Sequence, residues 1–269
     1  MVSAPEPELD ELVRQAARAS DPDRYLCALL APRQSRNDLI ALAAFSGEVA
    51  RISRIVKEPM MGEVRLQWWR DALEAGASGG ATGSPVADAV CRASARHHLP
   101  AALFHSVLEA REQELWPGFP GPGNDLDRYL EHSEGALMRL AARVLGVAES
   151  PLGNEALYAA GQAYGRVGLL LLLPELNALG REVRLPGAGD WGHAAAPIIE
   201  SARAWLAELR GRLAGAPAPL LPAVLPAALV EPYLKVFEGL GPDMAKLRAD
   251  ISPLTRVWRL WLASMRGRV

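Results

Sequence analysis

Apolar residues recur at intervals of three and four along nearly the whole chain, which is the period of amphipathic helices rather than strands. Leu39, Leu42, Phe45, Val49, Ile52 and Val56 form one such stripe, predicting a long helix over 36–57 with Ser35 as its N-cap. Ahead of it, Asp21-Pro22 or Asp23 caps a helix through Tyr25, Leu26, Leu29 and Leu30 that Pro32 stops. Pro59 opens the next helix, carrying Val64, Leu66, Trp68, Trp69, Ala72 and Leu73. The glycine-rich run 76–84 is a loop. Helices follow at about 85–97 and 100–116, then a Pro/Gly turn over 117–124 and a helix from Asp125 to about Leu145. Further helices are predicted at about 152–173, ended by Pro174, and at 193–214, 227–239 and 252–266, with an irregular loop over 177–191. The terminus around Glu6 and Asp10 reads as frayed. No segment alternates convincingly. The prediction is a single all-α helical domain over 1–269, its antiparallel neighbours joined by short turns.

Composition and charge narrow the function. The formal net charge of the 269 residues is −2, so no general basic footprint points to nucleic acid. Basic residues do gather in 33–70, where Arg36, Arg51, Arg54 and Arg70 fall; such a face meets phosphate or anionic lipid, or is simply solvated. Cys27 and Cys91 lie in apolar helical patterns and form no metal or redox motif, which predicts buried free thiols. The acidic N-terminal residues resemble neither a secretory signal nor a transit peptide. The most apolar run, Val167–Leu173, is shorter than the roughly 20 residues of a spanning helix. These features predict a cytoplasmic protein with peripheral contact to the inner membrane left open. Trp258 and Trp261, three apart on the last helix, are expected to pack in the core. The histidines show no metal-site spacing, and phosphate-loop, nucleophile-elbow and zinc-protease motifs are absent.

Several segments, in order, resemble the squalene/phytoene synthases: Tyr25-Leu26-Cys27-Ala28-Leu29-Leu30-Ala31-Pro32, Ser35-Arg36, and Ala41-Leu42-Ala43-Ala44-Phe45. Leu66-Gln67-Trp68-Trp69-Arg70 looks like that family's Leu-x-Trp-Trp-Arg segment. Asp127-Arg128-Tyr129 through Gly135, and Gly161-Gln162-Ala163-Tyr164-Gly165 through Leu185-Pro186, extend the likeness over 25–186. The resemblance implies the isoprenoid-synthase helical bundle with a central cavity. In that family two Asp-x-x-x-Asp motifs on facing helices hold Mg²⁺, which in turn holds prenyl diphosphates. Residues at i and i+4 share a helix face, so paired carboxylates converge on hard cations, which offset the charge of a leaving diphosphate.

The register carried over from the family places those aspartates at Ala50 and Arg54, and at Leu172 and Leu176. None is acidic. Glu48 and Glu175 are the only nearby acids on the two helices, each isolated, and both are expected to serve as ion-pair or capping groups. The pairs Glu6/Asp10 and Asp127/Glu131 have the right spacing but match no family motif and read as surface charge. Met138 stands where the family has a small residue beside the prenyl channel. The motif-free pattern is similar to a branch of the superfamily that includes an assembly factor of mitochondrial respiratory complex I, matching at Ala44-Phe45-Ser46-Gly47-Glu48-Val49-Ala50.

Three functions follow from the resemblance. The first is a non-catalytic protein that binds a protein partner or a lipid, in respiratory-complex assembly. The second is a head-to-head prenyl transferase using Mg²⁺. The third is a metal-free isoprenoid-binding protein. Under the first and third, no catalytic residue, metal or cofactor is expected. Arg36, Glu48, Arg51, Arg54, Trp68, Trp69, Arg70, Tyr129 and Glu175 are the candidate cavity or ligand contacts. Structural pairing of the arginines to Glu48, Glu63 or Asp71 explains them equally well. Oligomeric state is not assigned.

Overall fold

The computed structural model describes residues 6–120, 125–181, 191–241, 243 and 246–269. Its regular elements are helices, with no strand among the described residues. They are α1 Glu6–Ser20, α2 Pro22–Leu30, α3 Arg36–Ile55, α4 Pro59–Ala77, α5 Pro85–His97 and α6 Ala101–Gln113. Then come α7 Asp125–Leu130, a π-helical turn Glu131–Gly135, α8 Ala136–Val144 and α9 Pro151–Ala178. The chain closes with α10 Trp191–Leu213, the short α11 Leu221–Val224, α12 Val230–Leu240 and α13 Pro253–Arg266.

Local chemistry explains most of the helix starts. Asp21 accepts from the Arg24 amide at 3.1 Å, with Pro22 in the first turn of α2. Ser84, Ser150 and Ser252 cap α5, α9 and α13 in the same way. Ser35 does not cap α3: its hydroxyl donates to the Val144 carbonyl at 3.4 Å, so tertiary contact has taken the expected capping group.

Three elements differ from the sequence expectation. The chain after Glu6 is helical rather than frayed, because α1 buries Val13 and Ala17 and packs on α3. The close approach uses Gly47, where an added Cβ would lie 2.0 Å from Ser20 Oγ. Pro174 does not stop α9, which continues to Ala178. An interior proline costs about 3 kcal/mol; burial of Leu172, Leu173 and Leu176 on both sides of it outweighs that loss. The expected helix from Asp125 to Leu145 contains the π-turn, which inserts one residue into the helical register. Residues 182–190 of the expected 177–191 loop, including its Leu-Pro end, and 121–124 of the Pro/Gly turn lie outside the described residues.

Two apolar clusters make the core. One is built on α3, with Phe45 fully buried and edge-on to Trp69 at 5.1 Å and Phe104 at 5.4 Å. The other surrounds α9, α10 and the 220–237 segment. Ala141 and Leu145 of α8 pack against both clusters, so α8 joins them. By length and composition, α9 and the stretch Ala218–Leu240 are apolar enough to cross a membrane, but 83% and 67% of their most apolar windows are buried inside this fold.

Candidate functional site

α2, α3, α9 and α13 surround a central cavity of about 200 Å³, with the π-turn at its floor. The π-turn reaches the floor because Gly161 of α9 has no side chain: a Cβ there would sit 2.8 Å from Gly135 Cα. Gly165, one turn on, leaves room for Leu130 and Glu134 in the same way. These two glycines of the resemblance region therefore set the spacing between α9 and the floor.

The floor is a buried network of ions and phenols. Arg24 pairs with Asp21 at 3.1 Å and with Glu134 Oε2, and lies over the Tyr164 ring at 5.4 Å. Arg111 donates to Glu134 Oε1 at 3.1 Å and to Glu114 Oε1 at 2.6 Å. Tyr129 donates to the same Glu114 oxygen at 2.6 Å. A second group centres on Asp23, which accepts from Tyr164 at 2.8 Å, Tyr233 at 3.0 Å and Arg256 Nε at 2.5 Å. Arg256 also reaches Asp250 at 2.8 Å.

Titration follows from these contacts. Burial alone pushes Glu134 up, but Arg24 and Arg111 outweigh it and hold the carboxyl below its usual range. For Asp23 burial wins: its carboxyl is raised despite the pull of Arg256 and the Tyr164 hydroxyl. Burial raises Tyr129 and Tyr164 well above the ordinary phenol value, so both stay neutral donors. Cys27 is likewise pushed up by burial and is an inert core thiol.

The mouth is different. Arg54 of α3 and Glu175 of α9 face each other across it, with Nε and Oε2 3.1 Å apart but poorly aligned, so neither atom completes a hydrogen bond. Arg248 stands 3.9 Å from the other Glu175 oxygen and is mostly in solvent.

Of the residues proposed from sequence, Tyr129, Arg54, Glu175, Ala50 and Leu172 line this cavity. Leu176 is buried in the core instead. The remaining candidates do not line it. Arg36 donates to the Ala31 carbonyl at 2.9 Å and fastens the end of α2. Glu48 is half-buried and Arg51 exposed, both off the cavity wall. Trp69 is core, while Trp68 is exposed beside it and does not line this cavity. Arg70 pairs with Glu112 rather than with Glu63 or Asp71; Glu63 accepts from Trp116, and Asp71 from Gln67. Asp127 and Glu131 are taken up by Arg166 and Arg139. Met138 is buried but away from the cavity wall, so it narrows nothing there. Trp258 and Trp261 are exposed, contrary to the expected core packing, because α13 turns Arg256, Leu260 and Ala263 inward instead.

Sequence reasoning missed most of the network. Asp21 and Asp23 were visible as alternative caps, but Arg24, Arg111, Glu114, Glu134, Tyr233 and Arg256 were not singled out. The pairs that join the network across the fold lie far apart in the chain, 110 residues for Arg24 and Glu134 and 233 for Arg256 and Asp23.

These donors do not fit the magnesium and diphosphate that the family resemblance implies. Mg²⁺ requires free oxygen donors in octahedral array. Here Asp21, Asp23, Glu134 and Glu175 each already face a guanidinium group. Among the described residues no group of three or more His, Cys, Asp or Glu converges in a metal-holding arrangement.

Known proteins frame this site. Complex I assembly factor 6 (NADH dehydrogenase, ubiquinone) of Bos taurus is 30% identical over 177 residues, covering 66% of this chain and 53% of the bovine protein. The Mus musculus protein of the same name is 27% identical over 245 residues, covering 84% of this chain and 73% of that one. The match thus spans about half the length of the bovine relative. Among solved structures, squalene synthase HpnC from Alicyclobacillus acidocaldarius superposes with a TM-score of 0.70 at 21% identity, covering 88% of this chain and 97% of that one. A dehydrosqualene synthase in complex with ligand gives a TM-score of 0.75 at 13% identity, covering 97% and 96%. At these identities the structures establish the fold alone. The squalene/phytoene synthase family profile matches residues 17–255, and the chain belongs to that family.

Proposed function

We propose that this chain is a non-catalytic member of its family that binds a protein partner during assembly of respiratory complex I. The observation that carries this reading is the neutralisation of the cavity: its carboxylates are held by arginines, and Arg54 stands where a metal-binding aspartate would be needed. A cationic side chain repels Mg²⁺, and Leu172 offers it no ligand. Head-to-head transfer must accommodate two prenyl diphosphates, whereas about 200 Å³ falls below the roughly 300–1,000 Å³ of ordinary small-molecule sites. The names of the mammalian relatives supply the assembly role.

Two experiments test this. Deleting the gene should leave complex I subunits in incomplete subassemblies on native gels; intact assembly would remove the proposed process. Incubating the protein with farnesyl or geranylgeranyl diphosphate and Mg²⁺ should release no pyrophosphate. Squalene, phytoene or pyrophosphate in that assay would overturn the non-catalytic reading itself.

A further inference from the structure

α13 has two opposite characters. Its inner face carries Arg256 into the central cavity, where that residue holds Asp23, and buries Leu260 and Ala263. Its outer face is apolar and in solvent. Leu254 is 79% exposed, Val257 50%, Trp258 56%, Trp261 43% and Met265 70%. At 100° per residue these five positions fall within one arc of about 100° along the whole helix.

The surrounding charge is mostly positive, with Asp243 and Asp250 the exposed acids just ahead of the helix. From Ser252 to Val269 there is no Asp or Glu, while Arg259, Arg266 and Arg268 are exposed. Lys246 and Arg248, also exposed, precede the helix. Since the full chain carries −2, this basic density is local. A second exposed apolar face, Met60, Met61, Val64 and Trp68 on α4, lies among both signs of charge, Glu58, Glu63 and Asp71 beside Lys57, Arg65 and Arg70. Those charges balance, whereas α13 itself carries only basic ones.

We propose that the outer face of α13 lies in the interface of an anionic phospholipid bilayer. Tryptophan side chains and an apolar stripe enter the headgroup boundary, and flanking arginines meet lipid phosphates. The helix has 14 residues, short of the roughly 20 needed to span, so it rests in the plane of the surface. Its Arg256–Asp23 salt bridge and the burial of Leu260 and Ala263 keep it docked on the protein, so membrane contact needs no unfolding. This proposal does not depend on the assembly role, and neither outcome of the tests above decides it.

Flotation of the full chain with vesicles tests it. Binding is expected to phosphatidylcholine vesicles containing phosphatidylglycerol and not to phosphatidylcholine alone, and to weaken with added salt. Each neutralised arginine should weaken binding about fivefold, and R259E/R266E should abolish flotation. W258Q/W261Q should also abolish it while leaving the circular dichroism spectrum unchanged, because all four side chains point into solvent. The proposal fails if the parent chain does not float with anionic vesicles, or if it binds neutral vesicles equally well. Variants that float like the parent would also defeat it. A concentration-dependent dimer that W258Q/W261Q dissolves, without flotation, would assign the face to a second copy of the chain.

Discussion

The floor and the mouth of the central cavity are both lined by arginine and carboxylate, yet they are built differently. On the floor Arg24, Arg111 and Glu134 are nearly removed from solvent, and Glu134 has a guanidinium on each carboxylate oxygen. At the mouth Arg54 and Glu175 keep about a third and a quarter of their side chains in water and meet at 3.1 Å without alignment. The facing atoms of the mouth pair are buried without a hydrogen-bond partner, as is Arg111 Nε on the floor, so the difference lies in pairing: Arg24 and Arg111 each have two carboxylates, while Arg54 has one, poorly aligned. The floor therefore holds the fold together, and the mouth is free to change.

The sharpest way to break the contrast is to remove Glu134. Glu134→Ala takes one of two carboxylates from both Arg24 and Arg111, leaving them Asp21 and Glu114, and stability should fall by about 3 kcal/mol in urea denaturation. If the loss is below 1 kcal/mol, the floor is not the structural element described here. The effect should also depend on pH. Glu134 ionises at lower pH in the folded chain than in the unfolded one. Its stabilisation is thus complete above the ordinary glutamate range and fades as pH falls through the depressed folded value. The difference between parent and Glu134→Gln should shrink on acidification. Asp23 has the opposite sign: its raised value favours the folded state most below the ordinary aspartate range, and that contribution is lost as pH rises through the folded value.

A smaller effect is expected where α9 crosses the π-turn. Gly161→Ala puts a methyl 2.8 Å from backbone that cannot swing aside. Overpacking of this kind costs about 1–3 kcal/mol. Gly168, also on the cavity wall, has nothing within 4 Å of an added Cβ. Gly168→Ala should be neutral or stabilising by up to about 1 kcal/mol through helix propensity. A thermal melt that ranked the two substitutions in the reverse order would contradict the packing described for the floor.

These same regions show what was legible in the sequence. The long helices were, because Leu39 to Val56 repeat at helical spacing, although Ser35, read as the cap of that stripe, bonds to Val144 instead. α1 was not, since only Val13 and Ala17 of its described residues are buried and its apolar stripe is thin. Pro174 misled because the local penalty is visible in sequence and the burial of the leucines around it is not. At the mouth, family register placed Ala50, Arg54 and Leu172 on the cavity but missed with Leu176, which is core, while Glu175, noted only as a nearby acid, lines it. Most of the floor was hidden because pairs such as Arg24–Glu134 and Asp23–Arg256, more than 100 positions apart, have no periodicity, and the i,i+3 pairs Arg24–Asp21 and Arg111–Glu114 look like ordinary helix-surface charge. The π-turn was hidden too, as one inserted residue shifts the phase without any composition signal.

The smallest effect belongs to the mouth and completes the contrast. Arg54→Ala removes one partner from a single, poorly aligned and partly exposed pair, so stability should change by no more than about 1 kcal/mol. Arg248 remains near the other Glu175 oxygen and softens the loss further. A double-mutant cycle separates the pair from its surroundings. The coupling between Arg54 and Glu175 should be under about 1 kcal/mol, and that between Arg24 and Glu134 several times larger. Equal couplings would mean that burial does not decide between the two pairs. A mouth coupling above that of the floor would make Arg54 and Glu175 the structural clamp between α3 and α9, and the cavity could no longer be described as fixed below and adaptable above.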